Sequence, residues 1–212
     1  MIHVEPQPEP LDFDSKVRQP GRAFLKQHDH GSIPWREGRY WRECLPDLRK
    51  AYNNLCSYLA MWVMSSDDPN DPHPSVEHFV PKSARPDLAY EWSNYRLASG
   101  KANSDRGQQE VMDPFLVKDD WFQTDPFTGE IHVAESVDEA TRKKLDATIA
   151  AVRLNDAYWT RLRRTYWSKY IELMHVEPMA ARSFFQTYAP VLLREASILE
   201  AALASAQRKP GA

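Results

Sequence analysis

Val76-Glu77-His78-Phe79-Val80-Pro81-Lys82-Ser83 is followed by Trp92-Ser93-Asn94-Tyr95-Arg96-Leu97 and then by Asn103-Ser104-Asp105-Arg106-Gly107. Val76 to Val80 reads as a strand stopped by Pro81, and Asn94 to Ala98 reads as a second, across a loop that contains Pro86. The polar stretch Lys101 to Glu110 is suited to a helix. The local unit is therefore strand, loop, strand, helix. It gathers one imidazole, one carboxylate and two carboxamides with basic residues between them. That is the inventory needed to hydrolyse a phosphodiester with one hard metal ion.

Each residue type has a task in such chemistry. A neutral histidine can take a proton from water near neutral pH, which makes His78 the candidate general base. A hard divalent cation such as Mg²⁺ or Mn²⁺ takes oxygen ligands and commonly binds through one or two protein groups plus substrate phosphate. Glu77 and Asn103 supply such oxygens. Neighbouring residues on a strand face opposite sides, so Glu77 and His78 share a site only if the strand ends or twists there.

The remainder of the chain sets bounds on this reading. With 212 residues it suffices for one domain or one domain with helical extensions. A hydrophobic fraction of 42% with 27% charged residues is that of an ordinary soluble protein. Without a long apolar run or a basic-then-apolar leader, the expected location is the cytoplasm and no membrane partner is expected. Cys44 and Cys56 are too few for a disulfide framework or a four-thiolate zinc site, and they are expected to be packed thiols. A formal charge of −3 argues against nucleic-acid binding by bulk electrostatics, so any such contact is expected to be local or assisted. The eight basic residues between Thr141 and Tyr170, against two acidic ones, read as a solvated helical face.

Three regions follow from composition and spacing. Residues 1–39 form a proline-rich arm and loop, with Pro6, Pro8, Pro10 and Pro20 favouring extended or irregular chain. Residues 40–135 form the core around the motif at about 75–110. There Trp41, Leu45, Leu48 and Tyr52 suit a helix that Pro46 weakens, Leu55 to Met64 is ambiguous between strand and helix, and Ser65 to Pro74 has the composition of a solvent loop. Residues 136–212 are helical. Leu145, Ile149 and Val152 mark one face, Asn155 is the expected N-cap of the next helix, and Pro178 and Pro190 open two more. The fold class expected is α+β, a small ββα unit embedded in a mainly helical protein.

The linked strings resemble the HNH endonucleases with their ββα-metal fold. The pattern is an acid and histidine, Glu77-His78, then Asn94, then Asn103, with Arg106 beyond. By that resemblance His78 activates the attacking water, Glu77 and Asn103 hold the metal, Asn94 fixes the loop backbone that orients the base, and Arg106 contacts phosphate, with Lys82 and Lys101 as further phosphate candidates. Together with Tyr90-Glu91-Trp92, Asp113-Pro114-Phe115, Gly129-Glu130-Ile131 and Leu154-Asn155-Asp156, the motif looks like HNH proteins of bacterial anti-phage loci, including retron- and Septu-associated nucleases. The resemblance implies a Mg²⁺- or Mn²⁺-dependent DNA endonuclease in antiviral defence, recruited by a partner such as an ATPase. Many relatives carry two Cys-x-x-Cys pairs for a structural zinc. Here the matching stretches are Cys56-Ser57-Tyr58-Leu59 and Ser99-Gly100-Lys101-Ala102, so no structural zinc is expected.

Plainer roles compete. Lys82 and Arg96 are equally good surface charges, and His28-Asp29-His30 is an ordinary loop. The seven tryptophans are mostly packing residues, although each could stack on a base. A catalytically silent HNH-like binding subunit and an RNA-cleaving enzyme are the alternatives to a DNA nuclease.

Overall fold

The computed structural model describes residues 1–29, 31–63 and 73–207, side chains of 203–207 excepted. Most of the expected 65–74 loop, His30 and the last residues of the chain lie outside those bounds. The protein is mixed α+β, with two small antiparallel sheets among the described residues. Its contacts divide it into two compact units, one of residues 4–57 and 62–109, the other of residues 1–3, 58–61 and 110–212. The arm thus belongs largely to the motif unit, and the division falls near 109 rather than 135.

In the motif unit the arm is not wholly irregular. Residues 14–18 form a short π-helical turn that runs into α1 (Gln19–Leu25), where Pro20 occupies the first turn, a place that has no N–H to lose. Upstream, Gln7 accepts from the Trp92 indole at 2.8 Å and donates to the Tyr52 hydroxyl at 3.2 Å, which ties the extended stretch down. The helix expected from Tyr40 splits at Pro46: a 3-10 turn, Tyr40–Cys44, precedes α2 (Leu45–Ala51), with the proline in the first turn of the second. Leu55 to Trp62 resolves the strand-or-helix ambiguity as neither, a looped segment closed by a single antiparallel bridge between those two residues.

The central strands are β1 (Pro74–His78) and β2 (Tyr95–Ser99), antiparallel with Glu77 opposite Arg96 and His78 opposite Tyr95. Helix α3 (Gly100–Arg106) follows directly and stops at Gly107, whose φ of +56° reverses the chain at no steric cost. Phe13 packs edge-on to Trp92 and Tyr95, with centroids at 5.6 and 5.9 Å, and Val17, Leu48 and Leu97 are likewise buried. Each such large apolar side chain contributes about 1.5–3 kcal/mol by burial.

The second unit opens with a hairpin, β3 (Phe122–Thr124) and β4 (Ile131–Val133), in a region whose sequence reads as irregular. Asp125 holds the turn by accepting from the Phe127 and Thr128 amides at 2.7 and 3.1 Å. Four helices follow: α4 (Glu139–Ala151), α5 (Ala157–Val176), α6 (Pro178–Tyr188) and α7 (Leu193–Gln207). The N-cap of α5 is Asp156, accepting from Tyr158 N at 2.9 Å, not Asn155. Asn155 instead pairs both amide groups with the backbone of Ile131, closing the open edge of β4. Tyr170 and Phe185 stack at 4.4 Å to join α5 to α6. The basic stretch is not uniformly solvated: Arg163 is fully buried and donates to Gly129 O at 2.6 Å, while Lys143 and Lys169 make local ion pairs. No described helix is long and apolar enough to cross a membrane.

Candidate functional site

His78 is the last residue of β1, so the strand ends where two adjacent side chains need to serve one site. Both Glu77 and His78 line a cavity of about 680 Å³, together with Asn103 from α3. The imidazole is almost wholly enclosed. Trp41 meets it edge-on at 4.8 Å and Tyr95 at 5.2 Å. Its Nε2 lies 2.9 Å from the carbonyl oxygen of Ala89, and Nδ1 has no hydrogen-bond partner among the described residues. Burial, reinforced by the positive charge of Lys82 and only partly offset by the bond to Ala89, lowers the His78 pKa to about 3. The ring is therefore neutral in the resting protein.

Asn94 closes the short 3-10 turn before β2 and is buried. Its Oδ1 accepts from Val80 N at 2.8 Å, and its Nδ2 donates to Val80 O at 3.0 Å and Leu88 O at 3.1 Å. Three bonds thus lock the loop that carries Ala89, and with it the acceptor that holds His78.

Arg106 has a different place from the one the family pattern suggests. It is 2% exposed and does not line the cavity. Its guanidinium pairs with the Glu77 carboxylate and donates to His78 O at 3.1 Å, Phe79 O at 2.6 Å and Gln109 O at 3.1 Å. That leaves too few donors for a phosphate. Arg106 is a buried clamp on the end of β1, and its guanidinium is the partner of a carboxylate with 2% exposure. Lys101 is likewise turned away from the cavity, bonded to Asp105 at 2.9 Å. Arg96, a candidate surface charge, is 3% exposed, donates to Ser93 O and Tyr95 O, and covers the Phe79 ring. Lys82 does line the cavity. Its ammonium sits 5.3 Å over Trp41 and 5.8 Å over Trp35, with burial lowering its pKa while Glu77 opposes that shift.

The donor set suits a hard cation that keeps most of its waters. Asn103 Nδ2 donates to Ser75 Oγ at 3.1 Å and Val76 O at 3.3 Å, which leaves the amide oxygen for another partner. Among the described residues Glu77 is the only acidic residue that lines the cavity. No group of three or more His, Cys, Asp and Glu side chains among the described residues is arranged to enclose a metal. A carboxylate residue and an amide residue lining one cavity match magnesium's habit of binding through few protein groups plus substrate phosphate. Cys56 Sγ accepts from Ser99 N at 3.3 Å, and both residues are buried.

Several wall residues escape the motif reading. Trp35, Arg36, Arg39, Trp41, Arg42 and His73 all line the cavity. The available signal is Trp35-Arg36-Glu37-Gly38-Arg39-Tyr40-Trp41-Arg42, three arginines at every third position with one acid among them. Gly38 anchors this segment: a Cβ there would meet the Phe24 ring at 2.3 Å, and Tyr90 donates its hydroxyl to Gly38 O at 2.7 Å. Known protein-family models were compared with the chain and none matches; nor does any curated protein sequence.

Proposed function

We propose that the protein is a metal-dependent endonuclease of the HNH type that hydrolyses phosphodiester bonds of DNA. The observation that carries this is the 2.9 Å contact between His78 Nε2 and the carbonyl oxygen of Ala89. A carbonyl only accepts, so the Ala89 bond keeps the proton on Nε2 and leaves the Nδ1 lone pair to take a proton from water. Asn94 holds the Ala89 loop, and Arg106 holds the strand end and the Glu77 charge. Lys82 and the three arginines of the cavity wall offset phosphate charge. An anionic phosphate beside Lys82 counters that lysine's effect on His78 and favours the imidazolium, so the base strengthens when substrate is present. Glu77 and Asn103 are the residues that would hold Mg²⁺ or Mn²⁺. A bound divalent ion would supply charge neutralisation at the phosphoryl group and at the leaving oxygen. A role in anti-phage defence with a partner ATPase rests on the family resemblance.

One observation favours a second reading, a catalytically silent HNH-like module: the Glu77 carboxylate is already engaged by Arg106. Incubation of the protein with supercoiled plasmid, in Mg²⁺, in Mn²⁺ and in EDTA, separates the two. Relaxation or linearisation that requires the metal is expected. Intact plasmid under every condition would sink the nuclease assignment, and cutting of structured RNA alone would reassign the substrate.

A further inference from the structure

In the motif unit every arginine outside the cavity wall, from Arg18 to Arg106, donates to a carboxylate, an amide oxygen or a backbone carbonyl. Arg36, Arg39 and Arg42 do not. None of their guanidinium groups makes a hydrogen bond or ion pair among the described residues, and Arg36 and Arg42 are exposed. Three cations that no described residue neutralises line one cavity, in a chain of net charge −3, and make a local anion site that bulk charge does not explain.

The backbone sets their spacing. Arg42 N donates to Arg39 O at 3.0 Å at the start of the 3-10 turn, and residues three apart in such a turn lie nearly one above the other, about 6 Å along its axis. That step is close to the phosphate repeat of an extended single strand. Beside Arg36 stands Trp35, half-buried, with its ring centroid 6.3 Å from that of Trp41. The indoles of Trp35 and Trp41, with Lys82 over both, form an unbroken path to the edge of His78. A cavity of about 680 Å³ has room for one or two nucleotides.

We infer that Trp35, Arg36, Arg39 and Arg42 form a rim that takes unpaired, single-stranded DNA, one base stacked on Trp35 and successive phosphates on the arginines, and leads it to His78. This rests on the nuclease reading of the same cavity. A base can stack on an indole only when it has left its own helix, so the rim distinguishes an open strand from a duplex.

The test is fluorescence anisotropy in EDTA, where nothing is cut, with fluorescein-labelled oligothymidylate and a duplex of equal length as probes. Oligothymidylate is expected to bind more tightly than the duplex. Trp35→Ala weakens it roughly tenfold, and Trp35→Phe, which keeps an aromatic face, restores most of that loss. The triple change Arg36→Gln, Arg39→Gln, Arg42→Gln lowers the slope of log K against log salt by about 2. Equal or tighter duplex binding, or an unchanged salt slope in the triple variant, would overturn the rim. If that happens while metal-dependent plasmid cutting persists, only the rim falls. Strand binding of the expected kind without any cutting leaves the rim standing and removes the nuclease.

Discussion

His78 Nε2 and the carbonyl oxygen of Ala89 are 2.9 Å apart, and Tyr95 donates its hydroxyl to the same oxygen at 2.7 Å. Two donors on one acceptor fix both the tautomer and the orientation of the imidazole. The remaining nitrogen is the one a reacting water would meet.

That enclosure has a consequence for stability. The folded-state pKa of about 3 lies below the unfolded value, so between the two the unfolded chain binds the extra proton and stability falls as pH drops. At about pH 5 the expected loss is about 2 kcal/mol. Denaturant titrations in EDTA at neutral and mildly acidic pH should show wild type losing that much more than His78→Gln. Equal losses would place the imidazole in a wetter site.

The Glu77–Arg106 pair is buried on both sides, so removing one partner strands the other. Arg106→Met is expected to cost about 3–5 kcal/mol, and adding Glu77→Gln to recover the larger part. Urea midpoints of the single and double variants measure this. A single variant as stable as wild type would mean the guanidinium is solvated after all.

Asn94 serves fold and site together. Asn94→Ala leaves Val80 N, Val80 O and Leu88 O without their partner, a loss of about 2–4 kcal/mol. Cutting should fall as well, because the Ala89 loop loses its anchor. Full stability in Asn94→Ala would contradict the locked loop.

How far the sequence reveals this depends on how local each cause is. The stop at Pro81 and the loop at Pro86 locate β1 and β2 to within two residues, and Pro178 opens α6 and Pro190 the 3-10 turn that leads into α7, because a proline there loses no hydrogen bond. The cap of α5 was less legible: Asn155 and Asp156 are both competent, and the choice follows from the need of the β4 edge for a partner at Ile131. The place of Arg106 is not set locally: the last turn of a short helix can face solvent or the strand, and only the position of Glu77 decides. Arg36, Arg39 and Arg42 stand well before the motif, and only the 3-10 turn and the Gly38 anchor bring them to its wall.

The most direct test of the central claim is the rate of plasmid cleavage by His78→Ala beside wild type in Mg²⁺, with circular dichroism to check that both are folded. Loss of the general base should lower the rate by about two to four orders of magnitude with the fold retained. A folded His78→Ala protein that cuts at the wild-type rate would contradict the assignment of His78 as the base.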